Sequence, residues 1–356
     1  MLSSAVKSVG SSELLSRLGE MCVRRGLHSL ADRLLGLTDF IERDLETVEG
    51  ALEGVSPPDA LVGRAAGHLL AGGGKRLRPL CVALASRTGS GFNPAALHVA
   101  VAVELVHNAT LLHDDVVDLA TTRRGARTAA AEFGNAASIF GGDWLLIEAL
   151  RRVRHTEMPD LLGSLLETIE EMILAESVQL DNRGKLDATA QSYFRVAEGK
   201  TAALFRWAMM AGGRTGGLAP EDCASLSRYG LHLGVAFQLI DDVLDFTGDS
   251  RQTGKALLTD LREGMMTYPL ILTLERQPEL RPVLQEILEV ESGEPPPPIL
   301  CERVSSAVRH TGAATDSRRL ARQRSLQATD SLKDLPDGPA RRTLIAVAEA
   351  IVNRSH

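Results

Sequence analysis

Apolar residues along this chain recur at three- and four-residue spacing, the period that presses one face of a helix against a core. Leu30 to Leu52 carries the pattern and stops near Gly54, with Pro57-Pro58 beyond it. Leu61 to Ala71 repeats it and is closed by Gly72-Gly73-Gly74. A third helix is expected after Pro79, and Asn93-Pro94 opens a fourth with a capping side chain and a first-turn proline. Others are expected over Ser138 to Arg154, Asp160 to Leu180, Ala188 to Ala211, Pro220 to Phe246 and Tyr268 to Glu275. Four prolines within 293–298 require a loop; helices resume at Leu300, and a last one runs from Arg341 to Asn353. No strand-like alternation is sustained, and no repeat has a solenoid period. The pattern therefore predicts an all-α chain. Its organisation reads as an N-terminal extension over 1–29, expected to be helical, and one domain over 30–356.

Composition narrows the functional classes. The 356 residues are 44% hydrophobic and only 4% aromatic, enough for a sizeable aliphatic core. A formal charge of −7 argues against a nucleic-acid binder with a wholly basic surface. Cys22, Cys81, Cys223 and Cys301 lack CxxC spacing, so neither a disulfide framework nor a zinc site is expected. No bilayer-spanning run is expected, because the most apolar stretch, Ala95 to Leu112, is interrupted by His98, Glu104, His107 and Asn108. The expected location is the cytoplasm. Lys7, Arg17, Arg24 and Arg25 give the first thirty residues a faint transit-peptide character, which Glu13 and Glu20 weaken.

Two aspartate clusters carry the chemistry. Asp114-Asp115-Val116-Val117-Asp118 places Asp114 and Asp118 four apart, on one helix face, and Asp241-Asp242-Val243-Leu244-Asp245 repeats the arrangement. Like charges at that spacing destabilise a helix by a few tenths of a kcal/mol per pair. One such cluster is readily a solvated face. Two, each following an apolar stretch, point to a neutralising cation, and Mg²⁺ suits carboxylates that share it with substrate phosphates.

Such a site needs an anionic substrate, and the chain supplies matching cations. Lys75, Arg76 and Arg78 surround a glycine-rich break, where backbone amides also suit phosphate. Lys75 and Arg78 read as functional and Arg76 as a solvated surface charge. Arg123-Arg124-Gly125 follows the first motif closely and can clamp phosphate in a bidentate way. Lys200-Thr201 and Gln238 add a cation and neutral hydrogen-bonding groups. His107 stands seven residues before Asp114; in isolation it would read as a core histidine.

The stretches GGGKRLRP, ELVHNATLLHDDVVDLATTRRG, FGNAASIFGGD, EGKTAALF, GVAFQLIDDVLDFTGD and GKALLTDLREG stand in an order that resembles the trans-isoprenyl diphosphate synthases, or polyprenyl synthetases. The likeness runs from about residue 30 to the C-terminus and leans toward medium- and long-chain enzymes. It implies a single large bundle of antiparallel helices around a central active-site cavity, in a homodimer. It implies isopentenyl diphosphate and an allylic diphosphate as substrates, joined head to tail with Mg²⁺. By position, Asp114 and Asp118 would hold metal, assisted by Asp115, and Asp241 would complete the cluster, with Asp242 and Asp245 in support. Lys75, Arg78, His107 and Arg124 would grip isopentenyl diphosphate. Arg123, Lys200, Thr201, Gln238 and Lys255 would contact the allylic substrate.

Two departures stand out: Glu263-Gly264-Met265-Met266-Thr267 replaces a commonly lysine-bearing EGKPT, and Leu119-Ala120-Thr121-Thr122 replaces a more acidic stretch. Thr110 and Ala109, upstream of Asp114, are small where short-chain relatives carry an aromatic floor, so a long product is expected. Phe140 and Trp144 are either a deeper floor or plain core packing. The competing readings are a farnesyl- or geranylgeranyl-type synthase, a class I terpene cyclase, a head-to-head condensing enzyme, and a non-catalytic partner subunit. The paired basic clusters count against the cyclase, and the intact aspartates count against the subunit.

Overall fold

A computed structural model describes residues 38–123, 125–247, 258–290 and 296–354, with Leu30, Leu34 and Gly36 ahead of them. The expected N-terminal extension, Cys22, Arg124 and Lys255 lie outside the described residues. Nearly all the rest is helix. In chain order the elements are α1 (Thr38–Glu53), α2 (Leu61–Ala71), α3 (Leu77–Arg87), α4 (Pro94–Val117), β1 (Thr122–Arg123), β2 (Ala126–Arg127), α5 (Ala129–Phe133), α6 (Asn135–Arg154), α7 (Pro159–Asn182) and α8 (Ala190–Val196). A π-helical turn (Ala197–Ala202) then leads into α9 (Ala203–Thr215), α10 (Pro220–Thr247), α11 (Thr259–Arg262), α12 (Tyr268–Arg276), α13 (Arg281–Leu288), α14 (Pro298–His310), α15 (Ala313–Asp330) and α16 (Pro339–Asn353). Two elements break the expected pattern. The antiparallel β1–β2 pair is too short to show alternation in sequence, and the π turn interrupts what reads as one helix from Ala188 to Ala211.

The chain forms two compact units. The first takes residues up to Leu165 with Ala208–Leu226 and Asp334–Ala346; the second takes Leu166–Trp207, Ser227–Lys333 and the residues from Val347 onward.

In the first unit α4 is the central helix, packed against α3 and α6. Asn93 caps it by accepting from the Ala96 amide, and Pro94 occupies its first turn, as the sequence predicts. Val99 to Leu105 is buried throughout, Glu104 included at 3%, so this stretch of α4 is apolar almost all round and meets core on every side. By length and hydropathy it passes for a membrane span (mean hydropathy 1.5), contrary to the expectation that no segment would. The reason is its place in the fold: 67% of its most apolar window is buried within the protein. α6 comes close to α4 because Gly142 faces the His113 ring, where an added Cβ would lie 2.3 Å from Nε2.

In the second unit α10 lies against the π turn and the start of α9 through two glycines one turn apart. A Cβ on Gly230 would meet the Phe205 carbonyl oxygen at 2.5 Å, and one on Gly234 would meet the Ala202 Cα at 2.5 Å. The same packing brings Thr201 against Gln238, one turn beyond Gly234. A core of Val243, Phe246, Leu270, Leu284 and Val304 fills the space between α10, α12, α13 and α14.

Candidate active site

The first aspartate cluster ends α4. Asp118 is its C-cap residue, with its amide on the Asp114 carbonyl, and Leu119 then turns the chain with φ 54°. The β1–β2 hairpin carries Arg123 back to Asp115, which accepts a 2.8 Å hydrogen bond from Arg123 Nε. Asp115 is 1% exposed and its second oxygen has no hydrogen-bond partner among the described residues. Burial raises its pKa; Arg123 opposes the shift and Asp118 adds a little to it. The three aspartates therefore divide: Asp115 is turned inward, while Asp114 and Asp118 are half-buried and keep surface. Arg123, expected on the allylic substrate, is engaged at Nε by Asp115.

Lys75 is exposed, Arg78 and His107 are half-buried, and all three belong to this unit. Arg76 is not the solvated charge expected from sequence. It is 5% exposed and bonded to two carboxylates, because Glu49 and Glu104 lie where its side chain turns. Phe140 is 57% exposed, so it is not core packing within this chain, and Trp144 is half-buried. Ala109 is fully buried, whereas Thr110 retains exposed surface.

The second cluster sits on α10 and is wired differently. Asp242 is 1% exposed, with Tyr193 Oη donating to Oδ2 at 2.5 Å and Gln238 Nε2 donating to Oδ1 at 2.7 Å. Thr201 Oγ1 donates in turn to Gln238 Oε1 at 2.8 Å. The chain Thr201–Gln238–Asp242–Tyr193 thus ties the π turn and α8 to α10. Burial pushes the Asp242 pKa up to about 7; the Tyr193 and Gln238 hydrogen bonds oppose this, and Asp241 and Asp245 reinforce it. Asp245 accepts from the backbone amides of Thr259 at 3.0 Å and Asp260 at 3.3 Å, fastening α11. Asp260, so held, is half-buried, and its pKa lies well above the usual carboxylate range, first through desolvation and then through Asp245 and Asp242. Asp241, 44% exposed, accepts a 2.6 Å hydrogen bond from Arg354 Nη2. Arg354 is 4% exposed and stacks on the Phe237 ring at 3.9 Å.

A cavity of about 190 Å³ opens beside this cluster, lined among others by Lys200, Thr201, Gln238, Asp242, Asp260 and Met265. Lys200 Nζ pairs with Glu176 Oε2 at 2.5 Å. The structure therefore gathers Lys200, Thr201, Gln238 and Asp242 at one place. It adds four groups that the sequence reading left out: Tyr193, Glu176, Asp260 and Arg354. Only Asp260 had a local signal, as the aspartate of the DLREG stretch. The other three are recruited by tertiary contact alone.

Among the described residues, no three acidic, histidine or cysteine side chains close on one point as a complete metal cage. The donor set nevertheless fits a hard divalent cation. The acidic side chains around α10 offer only oxygen, and burial together with neighbouring carboxylates leaves Asp242 and Asp260 with raised pKa values, an excess of negative charge that such a cation relieves.

Comparison with known proteins places this architecture. The Polyprenyl synthetase family profile matches residues 59–296. Octaprenyl diphosphate synthase of Escherichia coli is 36% identical over 320 residues, 89% of this chain and 98% of that protein. A decaprenyl diphosphate synthase from Rhodobacter capsulatus superposes with a TM-score of 0.81 at 31% identity, covering 90% of this chain and 98% of that one. A polyprenyl synthase from Caulobacter crescentus, solved with calcium and isoprenyl diphosphate, superposes with a TM-score of 0.80 at 30% identity over 98% of this chain and 100% of that one. With likeness of this extent in both sequence and all-α fold, the chain belongs to the polyprenyl synthetase family of trans-prenyltransferases.

Proposed function

We propose that this chain is a polyprenyl diphosphate synthase that condenses isopentenyl diphosphate head to tail with an allylic diphosphate and releases a medium- or long-chain all-trans product. The observation that carries the reading is the second aspartate cluster, joined by hydrogen bonds to Gln238 and Thr201 beside a cavity that Lys200 also lines. A carboxylate cluster with a cation and neutral donors at one cavity is suited to a metal-bound diphosphate.

Asp114, Asp118 and Asp241 would hold Mg²⁺, which when bound neutralises diphosphate oxygens and stabilises them as a leaving group. Asp115, Asp242 and Asp245 play a different part. One oxygen of Asp115 is engaged by Arg123, both of Asp242 by Tyr193 and Gln238, and both of Asp245 by the Thr259 and Asp260 amides, so they orient neighbouring groups. Lys200, Thr201 and Gln238, with Arg123 and Lys255, bind the allylic diphosphate and stabilise charge as its C–O bond breaks. Lys75, Arg78, His107 and Arg124 hold isopentenyl diphosphate so that its double bond attacks the allylic carbon. Loss of a proton from the new carbon–carbon adduct regenerates an allylic diphosphate one isoprene unit longer. No side chain of the motifs is assigned as the base; the departing diphosphate takes that part.

Small side chains at Ala109 and Thr110 and the long-chain relatives both support a long product. A homodimer is supported by apolar side chains exposed on α6 (Ile139, Phe140 and Ile147) and on α7 (Leu166, Ile173 and Leu174). A cytoplasmic location accords with the three free cysteines among the described residues. The test is turnover of labelled isopentenyl diphosphate with a series of allylic primers, in Mg²⁺ and in chelator, with chromatography of the products. Asp114→Ala and Asp241→Ala should each abolish turnover, and near-normal rates in either variant would defeat the metal assignment.

A further inference from the structure

Arg76 stands between Lys75 and Arg78, the two residues assigned above to isopentenyl diphosphate, yet its surroundings are unlike theirs. It is the N-cap of α3 with φ 49° and ψ 30°, a left-handed conformation that a residue bearing a Cβ adopts only when its surroundings enforce it. The enforcing contacts are visible. Nε and Nη2 fork onto Glu49 Oε2 and Oε1 at 2.8 and 2.9 Å, and Nη1 donates to Glu104 Oε1 at 2.7 Å. The side chains of Arg76 and Glu104 are 5% and 4% exposed, and that of Glu49 is 16% exposed. Burial works against the Arg76 charge, but the two carboxylates outweigh it and raise the pKa above its ordinary value.

The placement of the two carboxylates matters more than their strength. Glu49 lies on α1, and Glu104 lies on α4 one turn before His107. A single guanidinium therefore ties the basic loop to the helix that carries the third isopentenyl diphosphate contact. Lys75 precedes and Arg78 follows the residue whose backbone is locked, so their directions are set by that lock. A lysine at 76 would keep the charge but lose the planar fork that reaches two carboxylates at once.

We propose that Arg76 is a positioning residue for the isopentenyl diphosphate subsite: it touches no substrate and sets the register of Lys75 and Arg78 relative to His107. The inference rests on the proposed synthase activity. It predicts a selective loss. Displacing a binding group by a fraction of an ångström weakens one subsite, whereas a residue serving only stability would lower active enzyme without favouring either substrate.

The experiment measures KM for isopentenyl diphosphate, KM for the allylic primer, and kcat, in wild type, Arg76→Lys and Glu104→Gln, well below each melting temperature. Glu104→Gln leaves the fork onto Glu49 in place and serves if Arg76→Lys does not fold. Arg76→Lys should raise KM for isopentenyl diphosphate by about tenfold and Glu104→Gln by about threefold. The allylic KM should stay within about twofold and kcat within about threefold. Parallel rises in both KM values, or an unchanged isopentenyl diphosphate KM in a folded variant, would overturn the inference while leaving the synthase reading intact. Wild-type protein that consumes no isopentenyl diphosphate would overturn both.

Discussion

Tyr193→Phe isolates one hydrogen bond of the second cluster. The change removes only the hydroxyl that donates to Asp242 Oδ2 at 2.5 Å, on a carboxylate that is 1% exposed. Gln238 continues to serve Oδ1. Leaving one oxygen of a buried, ionised carboxylate without a donor costs about 1.5–3 kcal/mol. Because the Asp242 pKa is about 7, that cost depends on pH. At pH 8.5 the carboxylate is charged and the full penalty applies, while at pH 5.5 it is protonated and the loss falls to the neutral scale of about 0.5–1.5 kcal/mol. Tyr193 itself stays protonated throughout, since burial and then Asp242 push its pKa well above 10. The assay is urea unfolding in chelator at both pH values. Of the chain's two tryptophans, Trp207 belongs to the second unit and is 2% exposed, so a Trp144→Phe background makes it the reporter of this region. A loss of about 2 kcal/mol at pH 8.5, near thirtyfold in the unfolding constant, should shrink to under about 1 kcal/mol at pH 5.5. An equal loss at both pH values, or one below about 0.5 kcal/mol at pH 8.5, would refute the reasoning.

Four further outcomes are expected. Asp242 has a folded pKa near 7 against an ordinary 3.8, so its protonated form favours folding; that stability is complete below about pH 4 and lost as pH rises through 7. The metal-free melting temperature should therefore fall between pH 5 and 8, and Mg²⁺ with inorganic diphosphate should restore more at pH 8 than at pH 5. Met265→Lys adds a cation to the lining of the cavity; steady-state kinetics should show a severalfold lower KM for the allylic primer and little change for isopentenyl diphosphate. Thr110→Phe should shorten the product on chromatography; it is a cleaner probe than Ala109→Phe, which would overpack a fully buried position. Gly234→Ala drives a methyl to 2.5 Å from Ala202 Cα, and thermal melts should show a loss of about 1–3 kcal/mol together with lower turnover as Thr201 and Gln238 are pushed apart.

Much of the molecule was legible in its residues, for local reasons. The helices follow from apolar spacing and from caps such as Asn93-Pro94, which act within one turn. The aspartate clusters announce themselves because spacing of four on a helix is a geometric certainty. What was illegible depended on partners far away in sequence. The π turn looks helical in sequence; it forms where Gly199 meets Ala175 so closely that a Cβ would lie 2.6 Å from the alanine methyl. Arg76 was misread because three cations within four residues look alike until Glu49 and Glu104, 27 and 28 residues away, select one of them. Phe140 was placed in the interior because an aromatic on an amphipathic helix is usually buried, but α6 turns it outward.

The sequence by itself determined the fold class, the family and the class of chemistry, since helical periodicity and carboxylate spacing are properties of neighbouring residues. Tertiary structure alone decided how labour divides within each cluster. Asp114 and Asp118 keep surface while Asp115 is spent on Arg123; Asp241 meets Arg354, Asp242 is held by Tyr193 and Gln238, and Asp245 holds the backbone of α11. Identical side chains acquire different roles because burial fixes the cost of their charge and distant donors fix which oxygens remain to bind a metal.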